Sequence, residues 1–440
     1  MRQSKIQTSH FKKGALSSCF VAACILVIAG CGNGSKELQS EGQIIAVVKQ
    51  EEDKRKEFNE QSVEMQQISS DQEGDLKEGI NYLETYESVG TLPSLAEVYE
   101  AYFSIGVALE RVDIEPLAKR KLITEQFNSI TCGNEMKADF TLDRSATLLQ
   151  ADEEQVVLNM DRADILLKFA QENGLKMRGH TLVWHSQTPR WFFTVGYDDS
   201  ENAPFVTREV MLARMENYIK DQIGYVNTHY PGVVYAWDVV NEAINPGDGH
   251  EKGIRMNNSY WYQVVGEDYI EFAFKFARQY AGSEQKLFYN DYRTYEKNKL
   301  IAIYNLAETL KENGLIDGIG MQSHIQIDYP TISDYEYALK KYGELGLEIQ
   351  ITELDIDAED NSEETQSALA TRYKRIMMEF KMLKEKGLAN ITNVTLWGLT
   401  DDRTWLNNDG VPSWPLLFDA KMNPKPAYFG MLQDDSIKLY

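Results

Sequence analysis

Tyr235-Ala236-Trp237-Asp238-Val239-Val240-Asn241-Glu242-Ala243 and, further along, Ile349-Gln350-Ile351-Thr352-Glu353-Leu354-Asp355 are the two stretches on which the reading of this chain turns. Each is an apolar or β-branched run that reads as a buried strand and stops on a glutamate. A carboxylate just past a buried strand has desolvated surroundings behind it and open space ahead. Two of them on neighbouring strands can hold different protonation states, one serving as proton donor and the other as nucleophile. By strand alternation Trp237 faces away from Glu242 and packs, whereas Asp238 shares the parity of Glu242 and points inward.

Working outward, short apolar runs alternate with longer amphipathic stretches from about residue 92, the pattern of βα units and a parallel sheet. Strands are expected at 104–109, 127–131, 176–183, 234–241, 286–290, 318–322, 348–352 and 392–398. Helical stretches lie between them at 207–226, 268–280, 297–313 and 364–386. Several helical patterns stop at a glycine, as in Asn173-Gly174, Asn313-Gly314 and Lys386-Gly387. Eight strands in one run favour a (β/α)8 TIM barrel as a single catalytic domain over 88–440, with reactive groups at the C-terminal strand ends. The rival is an open doubly wound sheet. It should carry a Gly-rich phosphate turn after its first strand, where Glu110-Arg111 stands instead.

The remaining chain, 440 residues in all, divides into a leader and a tether. Arg2, Lys5, Lys12 and Lys13 form a basic start, and the apolar run 15–29 is shorter than the ~20 residues that span a bilayer. It ends in Leu26-Val27-Ile28-Ala29-Gly30-Cys31, which resembles a bacterial lipoprotein cleavage site with Cys31 as the lipidated residue. An ordinary secretory signal followed by a chance cysteine is the alternative. Residues 31–87 are polar and acidic and read as a tether. The expected protein is therefore exported, at the cell surface or in the periplasm, anchored through Cys31, and monomeric. Cys132 is the one cysteine left in the domain, so no intrachain disulfide can form there. The six histidines show no paired metal-ligand spacing, and neither metal nor cofactor is expected. A formal charge of −23 disfavours nucleic acid, anionic membrane surfaces and polyanionic substrates, and suits a neutral polymer.

Chemistry-capable residues gather at the expected strand ends. After the second come Cys132-Gly133-Asn134-Glu135-Met136-Lys137; the third gives Gly179-His180-Thr181-Leu182-Val183-Trp184-His185-Ser186-Gln187. Asn290-Asp291-Tyr292 follows the fifth strand and Gln322-Ser323-His324 the sixth. Trp397-Gly398-Leu399-Thr400-Asp401-Asp402-Arg403-Thr404-Trp405 closes the series. Amides and imidazoles hydrogen-bond hydroxyls, and indole faces stack on the apolar side of a pyranose ring, so this ring of groups suits a sugar. Paired carboxylates in such a setting are the apparatus of retaining glycoside hydrolysis.

These segments, in this order from about 92 to 435, resemble family 10 of the glycoside hydrolases, the endo-1,4-β-xylanases. The resemblance implies that Glu242 is the acid/base and Glu353 the nucleophile. It implies that His324 and Asp355 hold Glu353 ionised and that Asn241 binds the hydroxyl beside the reacting carbon. Asn134, Lys137, His180, Trp184, Gln187 and Gln322 match sugar-binding positions, and Trp397 and Trp405 match aromatic walls. The implied partner is xylan or its oligosaccharides. Gly133 departs from the pattern, standing where many members carry a sugar-contacting glutamate, which implies weaker binding there or room for a decorated unit. Arg403-Thr404 before Trp405 is a second departure. Two other readings stand beside this one. A non-catalytic glycan-capture protein on the same fold predicts a decayed catalytic pair, yet both glutamates and their Asn and His partners are intact. A β-glucanase is the other, against which the 180–184 segment resembles a wall that crowds a hydroxymethyl group.

Overall fold

The computed structural model of the chain describes residues 92–407 and 411–433. The expected leader (1–30), the lipidation site Cys31 and the tether (31–87) lie outside the described residues.

Among the described residues nine strands form, all pairing in parallel: β1 (Ser104–Leu109), β2 (Ser129–Cys132), β3 (Lys176–Trp184), β4 (Val234–Asn241), β5 (Lys286–Asp291), β6 (Gly318–Met321), β7 (His324–Gln326), β8 (Glu348–Asp357) and β9 (Asn390–Leu396). Their order is β6-β5-β4-β3-β2-β1-β9-β8, and a β6–β8 pairing closes the ring. The fold is thus a closed eight-stranded parallel barrel, as expected, with β7 as a short ninth strand on the rim. The principal helices alternate with the strands: α1 (Leu117–Gln126), α2 (Asp161–Glu172), α3 (Arg208–His229), α4 (Tyr269–Tyr280), α5 (Lys297–Glu312), α6 (Ile332–Gly343), α7 (Glu363–Glu385) and α8 (Pro426–Met431). Local sequence explains where they start. Thr207, Thr331 and Ser362 cap α3, α6 and α7, their hydroxyls accepting from the amides of Val210, Asp334 and Thr365. The helices then bury one stripe against the sheet: α4 covers it with Ile270, Ala273, Phe274 and Ala277, a spacing of three and four.

Inside the ring the packing is partly ionic. Arg178 on β3 forms a bidentate pair with Asp238 on β4, at 2.6 and 2.8 Å, and donates from Nε to Gln350 on β8 at 2.6 Å. All three are buried. Outside the ring, Trp237 packs flat against the β3 backbone at Gly179, where an added Cβ would lie 2.3 Å from its ring. Only glycine admits that approach.

Three expectations change. The second strand covers Ser129–Cys132 rather than 127–131, because Phe127 is taken as the C-terminal cap of α1. The strand expected at 348–352 runs on to Asp357, so Glu353 lies inside β8 rather than beyond its end. That extension persists because β7 pairs with it, setting His324 opposite Asp355 and Ile325 opposite Ile356. Finally, the alternation linking Asp238 to Glu242 does not hold. A register shift between Asp238 and Val240 reverses the parity, so Asp238 and Asn241 both face inward. Glu242, one residue past β4 with φ +56°, turns its carboxyl into the same space.

Candidate active site

A cleft of about 880 Å³ opens at the C-terminal ends of the strands, lined by residues in or just after each of the nine. The backbone brings its reactive strand ends into register. The Glu242 amide donates to the Asn290 carbonyl, that of Gln322 to Asp291 and that of Glu353 to Gln322, each at 2.9 Å.

Amide side chains join the two glutamates. Asn290 donates from Nδ2 to Glu353 Oε1 at 2.8 Å and to Asn241 Oδ1 at 2.9 Å. Gln322 Nε2 donates to Asn241 Oδ1 at 3.2 Å and to Glu242 Oε1 at 3.0 Å. The orientation of each amide follows from its neighbours. Glu353 requires a donor and Thr352 Oγ1 donates to Asn290 Oδ1, so Asn290 must present Nδ2 to Asn241. Asn241 therefore offers its oxygen inward and keeps Nδ2 for the cleft, 3.4 Å from Glu242 Oε1.

The two carboxyls sit in opposite electrostatic settings. Burial pushes the Glu242 pKa up, and the nearby charge of Asp291 pushes the same way; hydrogen bonds from Gln322 and Trp184 offset only part of this. Burial also acts on Glu353. There it is outweighed by the hydrogen bond from His324, by the two histidines His180 and His324, and by Asn290, leaving Glu353 below the usual glutamate value. His324 bridges two carboxylates: Nδ1 lies 2.9 Å from Asp355 Oδ1 and Nε2 3.2 Å from Glu353 Oε2. Burial would lower its pKa, but Asp355 and Glu353 raise it to about 10, so the ring is an imidazolium at neutral pH. Trp405 Nε1 donates to Asp355 Oδ2 at 2.7 Å, and its ring stands edge-on to His324 at 4.9 Å.

The remaining expected residues line the same cleft. His180 Nδ1 is 2.9 Å from Asp238 Oδ2, tying it to the Arg178 pair below, and its ring meets Trp397 edge-on at 5.5 Å. Lys137 donates to Asn134 Oδ1 at 3.1 Å and to Gln187 Oε1 at 3.0 Å, with its ammonium 5.0 Å from the Trp184 ring centre. Burial lowers the Lys137 pKa, whereas Glu353 and Glu242 raise it. Trp184 is fixed in turn by Trp261, whose Nε1 donates to its carbonyl at 3.1 Å. All thirteen residues expected at the catalytic and sugar-binding positions except Asp355 line this cleft, and Asp355 lies directly behind His324.

Four further residues line the cleft outside the expected catalytic and sugar-binding set, and of these only Arg255 went unmentioned in the sequence reading. Arg255 donates from Nε to the Glu242 carbonyl at 2.8 Å and from Nη2 to Tyr292 Oη at 3.0 Å, holding the acidic strand end. His185 is pushed down to about 3 by burial and by the charges of Arg255 and Lys299, and is a neutral imidazole. Glu110 and Arg403 form an ion pair at 2.8 Å between the loops after β1 and β9. Arg255 sits in a polar stretch without a motif. The Glu110–Arg403 pair is hidden by its separation along the chain.

A parallel barrel with two buried carboxyls at its C-terminal face, their pKa values pushed in opposite directions and ringed by amides and indoles, fits the class of glycoside hydrolases. The chain belongs to glycosyl hydrolase family 10, whose profile matches residues 94–434. It is 45% identical over 352 residues to endo-1,4-beta-xylanase B of Butyrivibrio fibrisolvens, covering 78% of this chain and 54% of that protein. To endo-1,4-beta-xylanase A of Thermotoga maritima it is 44% identical over 351 residues, 78% of this chain and 31% of the other. The chain thus spans about half of the first relative and about a third of the second. Among solved structures, the N-terminal endo-1,4-beta-D-xylanase 10B of Clostridium thermocellum, complexed with xylohexaose, superposes with a TM-score of 0.72 at 37% identity, over 79% of this chain and 68% of that one.

Proposed function

We propose that this chain is a retaining endo-1,4-β-xylanase that cuts internal bonds of xylan by double displacement. The observation that carries the reading is the pair Glu242 and Glu353, raised and lowered in pKa within one cleft. Glu353, held ionised by His324 and Asn290, attacks the anomeric carbon while Glu242 gives its proton to the departing glycosidic oxygen. Once the glycosyl–Glu353 ester forms, its negative charge is gone and one cause of the raised Glu242 pKa with it. Glu242, now deprotonated, takes a proton from the incoming water, and the ester opens with overall retention. Asn241 Nδ2 is free to donate to the hydroxyl beside the reacting carbon. Lys137, Asn134, Gln187 and His180 supply further hydrogen bonds, and Trp184, Trp397 and Trp405 the apolar faces. The relatives named xylanases, and the Clostridium thermocellum structure complexed with xylohexaose, support xylan over β-glucan as substrate.

The leader and tether complete the reading. Cys31 carries the lipid that anchors an exported, monomeric enzyme at the cell surface or in the periplasm, and residues 31–87 hold the barrel away from the membrane. Several acyl chains on one cysteine give stable anchoring, at ~0.8 kcal/mol per buried CH₂. Mass spectrometry of the membrane fraction tests this: an acylated Cys31 N-terminus is expected, and a soluble chain starting elsewhere refutes it. The activity is tested on arabinoxylan, carboxymethylcellulose and an aryl β-xylobioside, with ¹H NMR following the anomeric product. Release of β-configured xylo-oligosaccharides is expected; α-configured product, or hydrolysis of the cellulose derivative alone, contradicts the assignment.

A further inference from the structure

Gly133, at the end of β2, leaves the cleft without a side chain at that point, and another residue fills the gap. A Cβ added to Gly133 would lie 3.3 Å from Glu110 Cγ and 3.9 Å from Glu110 Oε1, so the Glu110 carboxylate stands directly beside the empty position. It is held on two sides. Asn134 Nδ2 donates to Oε1 at 2.7 Å and Arg403 Nη2 to Oε2 at 2.8 Å. A carboxylate has roughly four acceptor sites; these bonds and the capping contact from the Asp113 amide do not exhaust them, and 40% of the side chain remains exposed on the cleft wall. Asn134 passes the constraint on, since its Oδ1 accepts from Lys137 and Gln187.

The position along the cleft follows from the strand order. Glu110, Asn134 and Arg403 come from the loops after β1, β2 and β9, which are consecutive in the sheet. Glu242 follows β4, which β3 separates from β2. Because the acid protonates the oxygen of the departing half, that half extends past Glu242 towards β4 and β5. The retained half extends towards Glu110.

We propose that Glu110, oriented by Arg403, is a specificity-determining residue that accepts hydrogen bonds from the hydroxyls of the sugar unit next to the reacting one on its non-reducing side. The inference rests on the xylanase reading. Paired hydroxyls on a pyranose are donors matched to an ionised carboxylate, and hydrogen bonds to charged groups are among the stronger ones.

The test compares an aryl β-xylobioside, which fills this position, with an aryl β-xyloside, which does not. In Glu110→Ala the ratio of their kcat/KM values should fall about tenfold or more, with Glu110→Gln intermediate. Xylobiosides lacking one hydroxyl on the non-reducing unit separate direct contact from support of Asn134. In the wild type, removing the hydroxyl that Glu110 binds should cost about tenfold, and in Glu110→Ala less than about twofold. An unchanged ratio overturns the proposal. So does a lowered ratio with the hydroxyl penalties intact, which would mean that Glu110 acts only through Asn134. A wild type inactive on both glycosides would instead sink the xylanase reading itself.

Discussion

Glu242 and Glu353 are both enclosed by the barrel, yet they are driven in opposite directions. Burial raises the pKa of each. The region around Glu242 adds an anion, Asp291, and one buried cation, Lys299, is already committed to that anion at 2.7 Å. The region around Glu353 adds an imidazolium clamped by a second carboxylate. The comparison teaches that depth does not decide which glutamate holds the proton. The partners brought in by the flanking strands decide it, β5 for Glu242 and β7 for Glu353.

The largest expected effect comes from removing either proposed catalytic group. Glu353→Gln should lower kcat on xylan on the order of 10⁴-fold. Glu242→Ala should lose a similar factor on xylan, while on an aryl xylobioside with a good leaving group added azide restores turnover. Full activity in either variant would end the assignment.

The ionic floor beneath the cleft comes next. Asp238→Ala leaves Arg178 buried and unpaired, so unfolding free energy should fall by about 3–5 kcal/mol. Urea denaturation measures this. A loss below about 1 kcal/mol would show that Arg178 finds another partner.

His324→Asn sharpens the comparison by removing the imidazolium from the Glu353 side alone. In the wild type, kcat/KM should rise with pH through the lowered pKa of Glu353, below about 4.5, and fall through the raised pKa of Glu242, above it. Without His324 the Glu353 pKa rises, so the acid limb moves to higher pH while the basic limb moves little. Activity at the optimum should drop roughly 10²-fold, the scale of a lost transition-state electrostatic contact. An acid limb that stays in place would show that His180 and Asn290 suffice to hold Glu353 ionised.

The smallest effect is expected from Trp405→Phe, which keeps an aromatic face but deletes the Nε1 hydrogen bond to Asp355. The loss of one charge-assisted bond on a half-exposed residue should cost about two- to tenfold in kcat/KM. With one donor fewer, the Asp355 carboxylate should hold the His324 imidazolium more tightly, raising the His324 pKa slightly, visible in its imidazole proton shifts.

The sequence made most of this readable where the information is local. The 104–109 and 234–241 runs are largely apolar and form as strands within those limits. The barrel follows from alternating periods, and the sugar-binding set from short segments whose residues remain neighbours after folding. What could not be read depends on pairing between distant parts. β7 is three residues long and exists because β8 continues beside it, so neither is visible alone. Asp238 does face inward, but the alternation argument that tied it to Glu242 fails at the Asp238–Val240 shift. Gly133 looked like a loss of binding; the fold instead brings Glu110 beside it from another strand end.

The most direct test of the central claim is a ¹³C NMR titration of the glutamate side-chain carboxyls in the free enzyme, with signals assigned through Glu242→Gln and Glu353→Gln. The account predicts that the Glu353 carboxyl ionises first, below the ordinary value of about 4.5, and Glu242 later, above it. A Glu242 carboxyl that ionises before Glu353 would contradict it.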